Sequence, residues 1–541
     1  MEKRLIMAVA LSLVVLLMFQ RFMSPKKSEI PIMTTETPQT DRGTAIENGE
    51  SNRTMDTEQT ARKQAQTEEK VPEKTFQIET DKYRLCFSDI GGNLKKIELK
   101  EYQTKDTDEL LYEALEKEEQ IFAIKSELIK TANQKKYTYR QEAGFVTFTL
   151  TEPGWLEIVK RYKIQNSADH IELELFVKNL SSRTVFFPYR INGPAHLEKT
   201  DQITGRSFLE ADTLIDGKVW KVKSLKEPKE TSGQVSWTGL KNRYFALVLR
   251  AFDFAESATV KTEGQQNLGI TLKIQGQDIA PGQTLKNRFL LYAGPLNEKR
   301  IAETGHEDMT RIVDYGFFGK LSNILLAILR FFHQIGIKNW GVAIICLTIL
   351  VNVILFPLTY KSFSSMQKIK QIQPHIQKLK ELHKDNPNKM NKEMMELYRK
   401  YKVNPLGGCL PMILQMPIFI ALYQGLMRSI ELKGAQFLWI KNLAKPDAVH
   451  LPFSLPFIGN QLNILPLLMA GMMIVQQKAS QGTATVSAEQ AQQQKMMMLL
   501  MPVLFGFLFY NMPSGLVLYW LTNTILMTSE QKFINKRIAE K

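Results

Sequence analysis

Cysteine is nearly absent from this chain: Cys86, Cys346 and Cys409 are the three in 541 residues. So odd and scattered a set excludes a disulfide framework, and no Cys-x-x-Cys or Cys/His spacing offers a zinc site. Histidine is scarce too, with seven dispersed residues, and neither His170 nor His196 has a nucleophile or carboxylate motif around it. No metal or cofactor is expected, and the chain is not expected to be an enzyme. Acidic residues run short: 55 Asp and Glu face 70 Lys and Arg, a net charge of +15. That balance suits nucleic acid, an anionic membrane surface or an acidic partner. Much of the excess lies close to long apolar runs, which selects the membrane surface and gives no reason to expect direct nucleic-acid binding.

Residues 24–74 hold almost no aromatics and are dominated by Thr, Glu, Gln, Lys and Ser. A segment of this composition buries too little apolar surface to offset chain entropy, and a disordered tether is expected. Before it, residues 1–23 carry an apolar core from Leu5 to Phe19 behind Lys3 and Arg4, without a small-x-small cleavage site. This is the pattern of an uncleaved signal anchor. Its flanks nearly balance, because Arg21, Lys26 and Lys27 lie on the far side.

From 75 to 300 the chain alternates apolar and polar residues in short runs such as "GFVTFTLTE", "HIELELFVKNL" and "LGITLKIQG". Period two, β-branched and aromatic enrichment, and turns at Gly91-Gly92 and Pro281-Gly282 predict a large antiparallel β-sandwich. Within 315–336, Lys320, Asn323, Arg330 and Gln334 fall on one narrow helical face and the rest is Leu, Ile and Phe. The pattern fits a helix lying in the membrane interface, or a core helix joining two domains; its place before a membrane span favours the interface.

Five apolar segments follow within 340–531: Gly341 to Thr359, Cys409 to Met427, Leu462 to Val475, Met496 to Tyr510 and Gly515 to Met527. Several are shorter than the ~20 residues that cross a full hydrocarbon core. The loop 361–402 between the first two holds eleven Lys and Arg against four acidic residues, a net of +7. With the basic tail 532–541, the positive-inside rule then makes this loop and both termini cytoplasmic and the sandwich external. Inside the loop, Ile369, Ile372, Ile376 and Leu379, and then Met390, Met394, Leu397 and Tyr401, step by three or four residues. They predict a helical hairpin with a thin apolar seam, with Pro374 kinking the first helix or starting it anew. Its bases Lys368, Lys370, Lys378, Lys380, Arg399 and Lys400 suit either anionic lipid or the reception of an incoming chain.

The runs "YKVNPLGGCLPMILQMPIFIALY", "PSGLVLYW", "NWGVAIICLT", "FPLTYKSFSSM" and "IQPHIQKLKE" resemble the YidC family of membrane protein insertases. In the sandwich, "FSDIGGNLKKIELKEY", "WTGLKNRYFALVL" and "LLYAGP" are similar to the large periplasmic domain of its Gram-negative members. The resemblance covers nearly the whole chain except the tether. It implies an inner-membrane protein that inserts and folds nascent membrane proteins without ATP hydrolysis, alone or with the Sec translocon. It also implies transient contact with ribosomes and a five-span core whose hydrophilic groove opens to cytoplasm and lipid. A self-contained groove suits a monomer. In the family an arginine precedes the "PLT" of the first span; aligned through "FPLT", Asn352 stands there, and Thr348 matches a groove threonine. Asn352 is expected to face the watery groove without a protein partner, the alternative being an interhelical hydrogen bond. By matching motif, Gln415, Met416, Phe419, Leu508, Tyr519 and Trp520 are further expected groove or substrate contacts. A small-solute transporter would need internal repeats of spans, which are not found. A membrane-anchored carbohydrate-binding protein would leave the basic hairpin and the polar residues within the spans unexplained.

Overall fold

A computed structural model of the chain describes residues 72–104, 107–114, 116, 119–197, 208–223, 225, 227–263, 267–383, 386–401, 403, 410–455, 459–480 and 488–539. The expected anchor at 1–23 and nearly all of the tether at 24–74 lie outside the described residues.

Alternation in the sequence becomes alternation in burial. In Leu156–Ile164 every second residue from Leu156 is buried, and His170–Asn179 repeats the pattern with Ile171, Leu173, Leu175 and Val177 inside. Strands β1 (Thr75–Glu79), β2 (Tyr83–Ser88), β3 (Asn93–Thr104) and β4 (Thr107–Glu113) form one antiparallel sheet in chain order. The larger sheet takes β5 (Ile124–Lys125), β6 (Thr138–Glu142), β7 (Phe145–Glu152), β8 (Leu156–Ile164), β9 (His170–Asn179) and β10 (Val185–Asn192). It continues through β11 (Glu210–Ile215), β12 (Lys218–Val222), β13 (Lys229–Lys241), β14 (Phe245–Glu263), β15 (Asn267–Ile279) and β16 (Thr284–Pro295). Its main row runs β12-β11-β13-β14-β16-β9-β8-β7-β6. It branches at β14, which pairs with β16 through Phe245–Ala251 and with β15 through Ser257–Glu263. The two sheets meet face to face through aromatic rings: Phe76 stacks on Tyr139 at 3.8 Å, and Phe87 lies 4.8 Å from Tyr162. Two antiparallel sheets in contact therefore occupy the region where the sandwich is expected.

One charged residue sits on a buried face. The period of β8 turns Lys160 inward, and it is wholly buried. Burial holds its pKa well below that of an exposed lysine. Its Nζ donates to the carbonyls of Gly91 and Phe122, each at 2.9 Å, and to Asn93 Oδ1. The lysine thus ties the β2–β3 connection and the segment at Phe122 to the centre of a strand. Lys160→Met keeps the bulk and strands the acceptors, so a loss of about 2 kcal/mol is expected, read by chemical unfolding of the sheet region. Unchanged stability would show that water satisfies those oxygens.

A short helix α1 (Glu298–Ala302) follows the last strand, where Arg300 bonds Asp169 at 2.6 and 2.7 Å and Glu101 at 2.7 Å. Helices dominate the remainder: α2 (Gly319–Gln334), α3 (Trp340–Gln371), α4 (Gln373–Leu382), α5 (Pro387–Lys400), α6 (Leu410–Arg428), α7 (Ile464–Ser480), α8 (Ala488–Phe509) and α9 (Ser514–Ala539), with an antiparallel pair of β17 (Val449–Leu455) and β18 (Gly459–Leu462) between α6 and α7. Among the described residues α3 is the one helix long and apolar enough to cross a membrane; Ile464–Ala479 and Leu499–Phe509 are shorter apolar segments.

Several boundaries differ from the sequence expectation. Helix α3 does not stop at Thr359; lacking Gly or a further Pro, it runs on to Gln371 through the first part of the expected loop. Pro374 starts a new helix near the N-terminus of α4, where its missing N–H is harmless. Helix α9 absorbs most of the expected tail, because Ile534 is wholly buried and Gln367 of α3 bonds Asn535. In the hairpin, Ile372 and Ile376 pack with Val403, Ile369, Met394, Leu397 and Tyr398. Tyr401 is exposed instead of seated in the seam: it lies past the end of α5, where the chain turns back so that Val403 N–H reaches the Tyr398 carbonyl at 3.0 Å.

Helix α2 combines both patterns that its sequence allows. Ser322, Leu325, Leu326 and Leu329 are buried, and Gly425 of α6 lets that face approach, since a Cβ there would meet Ser322 Oγ at 2.5 Å. Ile324, Phe331 and Ile335 stay exposed beside it. Sheet and helices are joined by Arg243, in the β13–β14 turn and 1% exposed. Its guanidinium donates to the Met427 carbonyl at the end of α6 and to the Ala444 carbonyl at 2.9 Å, and lies 4.7 Å from the Tyr244 ring. Lys433, just beyond α6, bonds Glu109 of β4 at 2.7 Å.

Candidate functional site

Polar side chains inside apolar helices mark the site, because each must find a partner or water. On α3, Thr348 is wholly buried and donates back to the Ile344 carbonyl at 2.7 Å. One turn on, Asn352 is 7% exposed. Its Nδ2 donates to the Thr348 carbonyl at 2.8 Å and to Asn523 Oδ1 of α9 at 3.0 Å. The expectation that this amide has no protein partner is therefore corrected: α9 packs directly on α3 and brings Asn523 opposite. Asn352 lies twelve residues into α3, about 18 Å from its N-terminal end, close to half of a hydrocarbon core of about 30 Å.

Gln415 of α6 is buried and its Nε2 donates to the Tyr519 hydroxyl of α9, which is also buried. Thr524 and Thr528 continue along α9, each bonded to the carbonyl one turn earlier. The structure thus joins four of the expected residues, Thr348, Asn352, Gln415 and Tyr519, through α9, and adds Asn523. All carry neutral amides or hydroxyls. Among the described residues no group of three potential metal ligands occurs.

The other expected contacts divide. Trp520 packs edge-on to Phe419 at 4.7 Å and lies against Phe505 and Phe509 of α8 at 5.7 and 5.3 Å. This aromatic cluster joins α6, α8 and α9, and Leu508 is half-buried with it. Met416 is exposed on α6. In the basic hairpin, Lys368, Lys378, Arg399 and Lys400 are exposed and Lys370 is half-buried; the Lys380 side chain lies outside the described residues. The hairpin loop is closed by His383 and Glu393 at 2.8 Å. Outward faces of the helices are apolar and exposed, among them Val353 and Ile354 of α3 and Val503 and Phe507 of α8.

Sequence reasoning missed Asn523, whose signal was an amide within the last apolar run. It also missed Asp447, a buried carboxylate that accepts from the N–H groups of Ile464 and Leu465 at 2.8 and 2.9 Å and so caps α7.

Two family descriptions match in succession: the YidC periplasmic domain over residues 75–328, and the 60Kd inner membrane protein over residues 331–541. The membrane protein insertase YidC of Citrifermentans bemidjiense is 32% identical over 493 residues, 86% of each chain. That of Geotalea daltonii is 30% identical over 560 residues, 99% of this chain and 100% of its own. A crystal structure of an active YidC insertase covers 85% of this chain and 92% of its own at 17% identity and a TM-score of 0.34. A galactose mutarotase related enzyme from Lactobacillus acidophilus covers 41% of this chain and 97% of its own, at 12% identity and a TM-score of 0.34. Two consecutive family domains and relatives aligned from end to end leave one assignment: the chain belongs to the YidC family of membrane protein insertases.

Proposed function

We propose that the polar row of Thr348, Asn352, Gln415, Tyr519 and Asn523 lines a hydrophilic groove through which this insertase passes the hydrophilic flank of an incoming membrane protein. In this reading α3, α6, α7, α8 and α9 are the five spans of the inner-membrane core. The flank enters from the cytoplasm while the apolar segment of the client slides along exposed faces such as Met416 and Val353 into lipid. The observation that carries the reading is the row itself: neutral donors and acceptors at mid-helix depth in helices whose outer faces are bare hydrocarbon. Such groups replace part of the water that a polar tail loses, and a short apolar belt thins the barrier.

Both termini and the α4–α5 hairpin lie on the cytoplasmic side in this reading, with the sheets in the periplasm. The hairpin bases draw anionic headgroups, at about 1 kcal/mol for each Lys or Arg near the surface, and receive clients from ribosomes. The Sec translocon is a second partner for larger clients, and the core works as a monomer.

The test is reconstitution. The purified chain in liposomes, offered a short client with a hydrophilic N-terminal tail, is expected to give protease-protected client well above empty liposomes. Gln415→Leu removes an amide from the row and is expected to lower that yield several-fold at unchanged protein content. A competent client left unprotected by the wild-type chain would sink the autonomous groove.

A further inference from the structure

The loop between α6 and α7 contains a feature that the groove does not use. Phe437 and Ile440 exchange both backbone hydrogen bonds, at 2.9 and 2.8 Å, closing a two-residue turn with Leu438 and Trp439 at its tip. Leu438 is held at φ +50°, a strained conformation for a branched residue, and is 75% exposed; Trp439 beside it is 41% exposed. Strain that presents an apolar side chain to the outside calls for an apolar surroundings that rewards it.

The turn is fixed to three helix ends. Asn339, the cap of α3, donates to the Gln436 carbonyl at 2.9 Å, and the Phe437 ring lies against the backbone of Gly341, where a Cβ would collide with it. Trp439 Nε1 donates to Asp447 Oδ2 at 3.1 Å, the same oxygen that caps α7. Ser514 and Gly515, the start of α9, donate to the carbonyls of Lys445 and Leu443 at 2.8 and 2.9 Å. Ala444 in the same loop holds Arg243 of the sheet domain, so this end of the helices is the periplasmic one.

We propose that Leu438 and Trp439 form a wedge seated in the periplasmic leaflet of the membrane, with lipid as its partner. The proposal rests on α3 crossing the bilayer, and the wedge is continuous with the outer end of that span. The indole N–H is satisfied inside the protein, so the ring enters lipid without carrying a bare donor. Among the described residues the tip backbone has no such partner for its own groups, which sets its depth at the headgroup boundary and not in the hydrocarbon core. Exposed Lys441 follows at the level where a lysine reaches headgroup phosphates.

The depth of position 438 is measured directly in the full chain in lipid nanodiscs. Cys86, Cys346 and Cys409 are replaced by Ser, and a nitroxide is placed on Leu438→Cys. Val353→Cys serves as the lipid reference and Lys218→Cys as the water reference. A ratio of oxygen to nickel-chelate accessibility at 438 several-fold above that at 218, approaching that at 353, supports the wedge. A ratio at 438 equal to that at 218, with 353 in lipid, overturns it and leaves the membrane reading standing. A watery 353 sinks both. Should the 438 variant not fold, quenching by brominated lipids, taken as the difference between wild type and Trp439→Phe, decides instead: no Trp439 quenching overturns the proposal.

Discussion

Asn352→Leu and Asn523→Leu, made singly, are each expected to lower both stability and insertion, whereas the double variant recovers the stability and not the insertion. Without Asn523, Asn352 keeps its bond to the Thr348 carbonyl but loses the interhelical one; without Asn352, Asn523 Oδ1 loses its donor. Interhelical hydrogen bonds within membranes are worth about 0.6 kcal/mol on average and at most about 1.7, and an orphaned amide costs about 1–3 kcal/mol. A loss of about 1–2 kcal/mol is therefore expected in each single variant. Two leucines facing one another pack without an unpaired polar group, so the double variant returns close to wild type in thermal unfolding. Insertion follows a different rule. If the pair lowers the barrier for a hydrophilic tail, both amides are gone in the double variant, and the rate is expected to fall roughly three- to tenfold. Proteoliposome insertion and thermal unfolding of the same four samples separate the two roles. A double variant that inserts as wild type does would make the pair a helix fastener and nothing more.

The second large effect is expected at Arg243. Arg243→Met removes the donor to the Met427 and Ala444 carbonyls and leaves both oxygens buried. At about 1–3 kcal/mol for each stranded group, a loss of about 3–5 kcal/mol is expected at the junction of sheets and helices. Met427 is also the penultimate residue of α6, where a cation offsets the partial negative charge of the helix end. Arg243→Lys is expected to recover less than half of the loss, because an ammonium has no planar fork to reach two carbonyls on separate segments. The measurement is limited proteolysis of the purified chain. The sheet region is expected to remain resistant while cleavage near the residues that link it to α2, around His306 to Gly316, rises strongly. Equal resistance in wild type and Arg243→Met would show that Lys433, Glu109 and the apolar contacts hold the junction by themselves.

Much of this architecture can be read from local pattern, and the exceptions have physical reasons. Strands β7, β8 and β9 are legible because each buries one face, so period two is imposed residue by residue. Lys160 breaks that alternation visibly, but its partners Gly91, Asn93 and Phe122 are far away in sequence and leave no trace in the strand itself. Asn352 stands out within an apolar run for the same reason. Its partner Asn523 is separated by 171 positions, and nothing in the periodicity of α9 says which residue of α3 it meets. Helix ends are misplaced wherever hydrophobicity and helicity part company: α3 and α9 leave the apolar zone at about Thr359 and Met527 yet meet no Gly or Pro before Gln371 and Ala539. The turn at Leu438 was illegible because two exposed residues offer no period. Its conformation is held by Asn339 and Asp447, which only the folded chain brings near.

Proline inside the helices frees main-chain oxygens within two of the proposed spans. Pro357 and Pro417 lie within α3 and α6, and each lacks the N–H that would bind the carbonyl four residues before it. The oxygens so released belong to Val353 and Ile413, next to Asn352 and two residues from Gln415. The amide nitrogens of Asn352 and Gln415 are already committed to donation within the protein, which leaves their oxygens as the unused ends among the described residues. The side chains of the proposed groove therefore offer lone pairs without a formal positive charge, while Val353 and Ile413, which carry the freed main-chain oxygens, lie exposed on the helices. In the proposed groove an acidic tail would therefore meet no counter-charge along this row, while serine, asparagine and backbone N–H groups would find acceptors.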